Sequence, residues 1–364
     1  MVVCFSFFLF VISNNKKIMH ASEVYVTPSS SQQTNICKYV LIIISIVLGL
    51  SCLAGFVFVS IQFKTNSYLE SSCHENQTDN VILCFLRSII STGMHTQWNR
   101  LIMINLLLTY ASVFHHIIVE TNRTNVRGPL GLMILQTACI IFGIGFSFPS
   151  LYISSFIYFY QLKRFSTKSS VPIDTILLGF IYVFVVITIP TYLIYFCSKT
   201  ELIVTIMSIV LLASPLAFII ISFPFRFCSK YLLHCWRINS HRLILLCQLI
   251  LFITSSPLYF IALVAFIQHF SIDLWKNSYV TDIHNQINPI ALIWSIDFCS
   301  LFLSLIIYII INEYLFTHTN DQYRYSRIKA CIVYILFALF FLSMPCLIFP
   351  LYVAWKEYEY LRQA

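Results

Sequence analysis

Asp297 is the side chain in this sequence best placed to do chemistry. It stands inside the apolar run IALIWSIDFCSLFLSLII, and the next charged residue downstream is Glu313. Ionisable groups within such runs are costly and rare, and they mark functional sites by default. An isolated carboxyl there can hold a proton and serve as a general acid, which makes Asp297 the expected catalytic residue. The bland alternative is a structural hydrogen bond to another helix, or a water pocket. Asp174, just after Pro172, and Glu201, just after Thr200, open apolar runs and read as first-turn carboxylates that favour a helix dipole. His116 and Glu120 are four residues apart and share a helix face, as do His269 and Asp273. His115 and His116 are adjacent, point in different directions on a regular helix, and cannot both meet one metal. No metal and no cofactor are expected. Polar residues inside apolar runs, such as Asn105, Gln136, Gln248 and Thr254, read as interhelical glue worth about 0.6 kcal/mol each.

These groups need elements to hold them, and composition decides which kind. Of the 364 residues 59% are hydrophobic and 10% are charged. A soluble domain carries about 25% charged residues, and a soluble fold could not hide this much apolar surface. A bilayer accepts it. A helix needs about 20 apolar residues to cross, and eight stretches qualify: 39–63, 101–119, 131–160, 173–197, 201–224, 243–268, 288–312 and 328–355. The fold class is all-α, a polytopic transmembrane helical bundle with about eight spans. The runs are too long and continuous for barrel strands.

Three regions follow. Residues 1–36 combine an apolar segment with a Ser/Thr/Gln-rich tail, 37–356 form the bundle, and 357–364 form a short C-terminal tail. The apolar opening MVVCFSFFLFVIS is too short to span; it reads equally as a signal-peptide core or as an upstream extension before Met19. Within the bundle, the segment near 79–96 is broken by Arg87 and reads as an interfacial helix. Most of the 13 cysteines, Cys52, Cys139, Cys247, Cys299 and Cys346 among them, lie in apolar runs and behave as small hydrophobes.

Orientation follows from Lys and Arg in short loops. After the third, fifth and seventh stretches come Lys163, Arg164, Lys168, Arg226, Lys230, Arg237, Arg242, Arg324, Arg327 and Lys329, ten in all. After the second, fourth and sixth come Arg123, Arg127, Lys199 and Lys276, four in all. Strict alternation puts the first set in the cytosol and both termini on the lumenal or outer side. Asn122-Arg-Thr124 is then a usable glycosylation sequon, whereas Asn76-Gln-Thr78 is cytosolic. A Cys73–Cys84 bond is not expected on the cytosolic side.

Prolines at 149, 190, 215, 257, 345 and 350 kink the spans, and several kinked helices together leave room for a central cavity. With 33 Phe and 21 Tyr, inward rings would suit a lipophilic ligand or a carbocation. The motifs FGIGFSFPSLY (142–152), GFIYVFVVITIPTYLIYF (179–196) and SIVLLASPLAFII (208–220) resemble a group of fungal multi-spanning membrane proteins of terpenoid pathways, some regarded as membrane-bound terpene cyclases. Pro149, Tyr152, Pro190, Thr191 and the late Asp297 match that pattern, and the fifth span lacks the group's Trp-Gln pair. The resemblance implies an isoprenoid-like substrate protonated by a buried acid.

The leading expectation is therefore a membrane-embedded enzyme acting on a lipophilic small molecule. A transporter or permease and a membrane receptor are the alternatives. The absence of an Asp-Arg-Tyr after the third stretch weighs against the common seven-helix receptors. Phosphate loops, dinucleotide glycine motifs, His-Glu-x-x-His and nucleophile elbows are all missing. The expected partner is the lipid bilayer, with no nucleic acid, because the net charge of +8 is spread over many short loops. The membrane could be the endoplasmic reticulum, another endomembrane or the plasma membrane.

Overall fold

The structure, a computed structural model, describes residues 30–63, 81–123, 129–155, 157, 171–197, 200–232, 239–272, 280–281, 286–317 and 344–363. Residues Met1–Ile43 and Ile44–Ala364 form separate compact units, and every contact below belongs to the second. The described residues are helical apart from short connections and one antiparallel pair of two-residue strands, β1 (Val280–Thr281) and β2 (Gln286–Ile287). The helices are α1 (Ser30–Gln62), α2 (Val81–His95), α3 (Gln97–Arg123), α4 (Pro129–Phe142), α5 (Ile144–Ile153), α6 (Ile173–Cys197), α7 (Glu201–Leu232), α8 (Ser240–Gln268), α9 (Pro289–Thr317) and α10 (Pro345–Gln363). Among the described residues, five segments are long and apolar enough to cross a membrane: Tyr39–Gln62, Gln97–Arg123, Ile173–Cys197, Ser240–Gln268 and Pro289–Asn312. The N-terminal segment 1–29, Cys73, the Asn76 sequon, Asp273 and Trp236 lie outside the described residues.

α3 occupies the centre. It is the least apolar of the five candidate spans, and its Asn99, Asn105, Thr109, Ser112, His115, His116, Glu120 and Arg123 are all buried. A polar helix gains most by being screened from lipid. The outer helices do the opposite. Val57, Phe58 and Ile61 of α1 and Ile253, Val264 and Ile267 of α8 bare their side chains. An apolar exterior over a polar centre is the arrangement a bilayer favours and water does not.

Contacts fix the helix directions. α9 and α10 run with α3, since His116 meets Tyr308 while Leu101 packs with Leu347 and Arg123 with Glu357. α6 and α8 run against it: Ile176 lies at His115 and Ile194 at Met103, and His241 meets Glu357 while Leu258 packs on Leu101. α2 packs Ile90 and Met94 on Met103, Val204 and Met207. Asn288 caps α9 by accepting from the amides of Ile290 (3.1 Å) and Ala291 (3.2 Å), with Pro289 at the first helical position.

One expected span takes another form, and a second is described only from residue 344 onward. The stretch 131–160 is broken at Gly143 into α4 and α5. Cys139 comes within reach of the Ser147 hydroxyl, whereas an unbroken helix would separate the two by about 12 Å of rise. α4 descends beside Tyr182 and Ser214, and α5 climbs back past Phe148 and Tyr152 to Tyr308. The pair is a helical hairpin, and the described part of each arm is shorter than a crossing needs. The last stretch, 328–355, contains a helix start at Pro345, and α10 continues through Gln363, so the expected tail 357–364 is mostly helix. The residue before a proline is biased away from helix, which favours a fresh start there.

The fold-back changes the charge count. The end of α3 now lies on the same side as the ends of α5, α7 and α9. Among the described residues, Arg123 lies there together with Arg226 and Lys230 near the end of α7, Arg242 at the start of α8 and Lys356 and Arg362 near the end of α10, against Arg100 at the other end of α3. Positive residues mark the cytosolic side. Asn122, whose side-chain amide donates to the Ile118 carbonyl at 2.7 Å, sits at that same helix end and is therefore expected to carry no glycan. Endoglycosidase digestion of wild type and Asn122→Gln tests this. A mobility shift present in wild type and absent in the variant would reverse the orientation.

Candidate functional site

The break at Gly143 places bare backbone amides inside the bundle, and they must be satisfied there. Gly143 has φ 79° and ψ 156°, a region open essentially to glycine alone. The following amides are capped by α9. Asp297 Oδ1 accepts from the Gly145 amide at 2.7 Å, and the carboxyl also faces the Ile144 amide. The Gly145 carbonyl would ordinarily accept from residue 149, but Pro149 has no N–H; the Ser300 hydroxyl donates to it instead, at 2.7 Å. A Cβ on Gly145 would lie 2.6 Å from the Asp297 carbonyl oxygen and 2.8 Å from Oδ1, so close approach requires glycine. The residue expected to be an isolated acid is thus the cap of a neighbouring helix. The same proline logic explains two wide turns. Phe148–Ile153 and Phe184–Thr188 are π-helical, the first containing Pro149 and the second just before Pro190.

Asp297 begins a polar seam. Ser300, Ser304, Tyr308 and Asn312 follow at steps of three or four residues, so all five lie on one face of α9, and all are buried. Sequence reasoning singled out Asp297 alone, although the spacing of the other four was legible. Ser300 meets α5, and Tyr308 sits against Phe148, Tyr152 and Phe349 with ring centres 5.9–6.2 Å apart. The Asn312 amide donates to Tyr352 at 2.8 Å. His116 Nε2 lies 2.6 Å from the Tyr308 hydroxyl. His115 turns elsewhere: Gln248 donates to its Nδ1 at 3.0 Å, and its Nε2 faces the Ile176 carbonyl. With Nδ1 accepting, Nε2 carries the proton.

The seam ends at an ionic network that no sequence motif announced. Arg123 reaches Glu120 at 2.9 Å and Glu357 at 2.8 Å, and the other Glu357 oxygen lies 2.6 Å from His241 Nδ1. Burial alone would push the Glu357 carboxyl toward its neutral form. The Arg123 guanidinium and the His241 contact outweigh that and hold it below the ordinary Glu range. Between His116, Glu120, Arg123, Asn312 and Glu357 lies a cavity of about 20 Å³. Asp174 lies in the first turn of α6 and Glu201 opens α7.

No family model, curated protein or solved structure matches the chain. Fold and site together define a class: an all-α membrane protein with a polar interior seam.

Two outcomes follow for stability in detergent, each read as a thermal midpoint. Asp297→Ala strips the hairpin amides of their acceptor and should cost about 1–3 kcal/mol, while Asp297→Asn keeps an oxygen there and should cost less. Gly143→Ala should cost a similar amount through strain. Equal midpoints for Asp297→Ala and wild type would remove the cap from the account. For Glu357, the folded carboxyl titrates below its unfolded value. Its stabilisation is complete above the ordinary Glu range and is lost as pH falls through the folded value. Glu357→Gln should lower the midpoint near neutral pH by the equivalent of about 2 kcal/mol, with the gap closing on acidification.

Proposed function

We propose that the chain is a transporter or permease for a small molecule, and that the α9 seam forms part of its path. The seam carries this reading. Five buried polar residues on one face link a broken hairpin at mid-depth to a charged helix end. Discontinuous helices whose exposed amides face an anionic group recur at the midplane sites of secondary transporters. In this reading Asp297 holds the hairpin closed when it accepts from Gly145, and releasing that bond opens the arm.

The crossings in this reading are counted differently from the hydropathy stretches: α1, α3, α6, α7, α8 and α9 supply six, and the α4–α5 hairpin supplies none.

A second reading keeps the membrane enzyme of the terpenoid-pathway resemblance. It is favoured by the rings of Phe148, Tyr152, Tyr308 and Phe349 gathered beside the seam, which would stabilise a carbocation, with Asp297 as acid. Counterflow in proteoliposomes, with a metabolite mixture read by mass spectrometry, separates the two. Transport predicts accumulation of a solute that falls at least about tenfold in Asp297→Asn, about 1.4 kcal/mol of barrier, while the fold persists. Conversion of an added isoprenoid substrate with no accumulation would overturn transport in favour of the enzyme.

A further inference from the structure

The cavity at the charged end of the seam contains an unmet hydrogen bond. His116 is 5% exposed, and its Nε2 is engaged by Tyr308 at 2.6 Å. Its Nδ1 is buried beside the cavity with no partner among the described residues. A buried ring nitrogen left without a partner is costly. A cavity needs roughly 10–15 Å³ of this kind of space to hold one water, together with several polar partners. The space here is about 20 Å³, and α3, α9 and α10 all line it with polar groups.

We propose that this cavity binds a water molecule at His116 Nδ1, and that the pair forms the proton-entry relay of the protein. The charged and titratable groups facing it are Glu120 and Arg123 from its own helix, Tyr352, Lys356, Glu357 and Tyr360 from α10, Tyr308 from α9 and, through Glu357, His241 from α8. The step balances without any redox partner. A protonated water gives a proton to Nδ1. The ring then carries a proton on each nitrogen as an imidazolium, with Nε2 donating to the Tyr308 oxygen. It discharges by returning one proton to the water, so the imidazole is neutral before and after and every proton is accounted for. The relay deepens the transport reading by naming the proton as the coupled species, and only its purpose rests on that reading.

The test uses the full chain in lipid nanodiscs with ¹⁵N-labelled histidine. Solid-state NMR should show a water correlation at His116 Nδ1, identified by its loss in His116→Asn. His115 is the internal control and should show none, because Gln248 occupies its Nδ1. Val353 also lines the cavity, and Val353→Met should remove the water signal while leaving that of His115 unchanged. A wild-type His116 as dry as His115 overturns the proposal, and this measurement decides alone if the Val353 variant does not fold. Proton uptake by proteoliposomes during counterflow, read by an internal pH dye, should fall at least tenfold in His116→Asn. Solute flux with unchanged uptake in that variant would also overturn the relay. A wet His116 in a protein that moves no solute supports the water site and defeats the transport reading instead.

Discussion

The constraint on which the rest of this structure depends is the backbone of the broken helix. Gly143 reverses the chain inside an apolar bundle, where no solvent can accept or donate a hydrogen bond. Three consequences follow locally. The amides after the turn need an acceptor, which Asp297 supplies; the Gly145 carbonyl, orphaned by Pro149, needs a donor, which Ser300 supplies; and the two arms must approach α9 closely, which glycine at 143 and 145 permits. Asp297 and Ser300 are one turn apart on α9, so a single helix face repairs both ends of the break.

That repair sets the position of α5, and α5 in turn shapes the aromatic wall. Phe148 and Tyr152 stack with centres 5.4 Å apart and press on Tyr308, which holds His116. The chain of contact runs from the break at mid-depth to the ionic network at the helix ends. Arg123, Glu120, Glu357 and His241 come from three helices and satisfy one another. The least apolar span, α3, therefore sits in the centre with polar neighbours on several sides. The apolar helices α1 and α8 take the perimeter, where bare Ile and Phe cost nothing against lipid.

Much of this was legible in the sequence. Helical class and membrane residence follow from run length and the scarcity of charge, because hydropathy is a local property. Asp297, a carboxyl in the middle of an apolar run, stood out for the same reason, and the divergence of His115 and His116 follows from helix geometry alone. The polar face of α9 could also have been read from its spacing of three and four. Hydropathy could not reveal the hairpin. Two short apolar arms joined by a glycine have the same average as one long span, and only Gly143 and Pro149 hinted otherwise.

The sequence by itself determined that the chain is helical, that it belongs in a membrane, and which of its few ionisable residues lie in apolar surroundings. Each of these depends on residues close together along the chain. The tertiary structure decided what those residues do for one another. Asp297 meets an amide 152 positions away, and Arg123 meets a carboxylate 234 positions away. Partners at such separations are chosen by how helices pack and by which orphaned backbone groups the packing must satisfy, and no window of sequence contains that information.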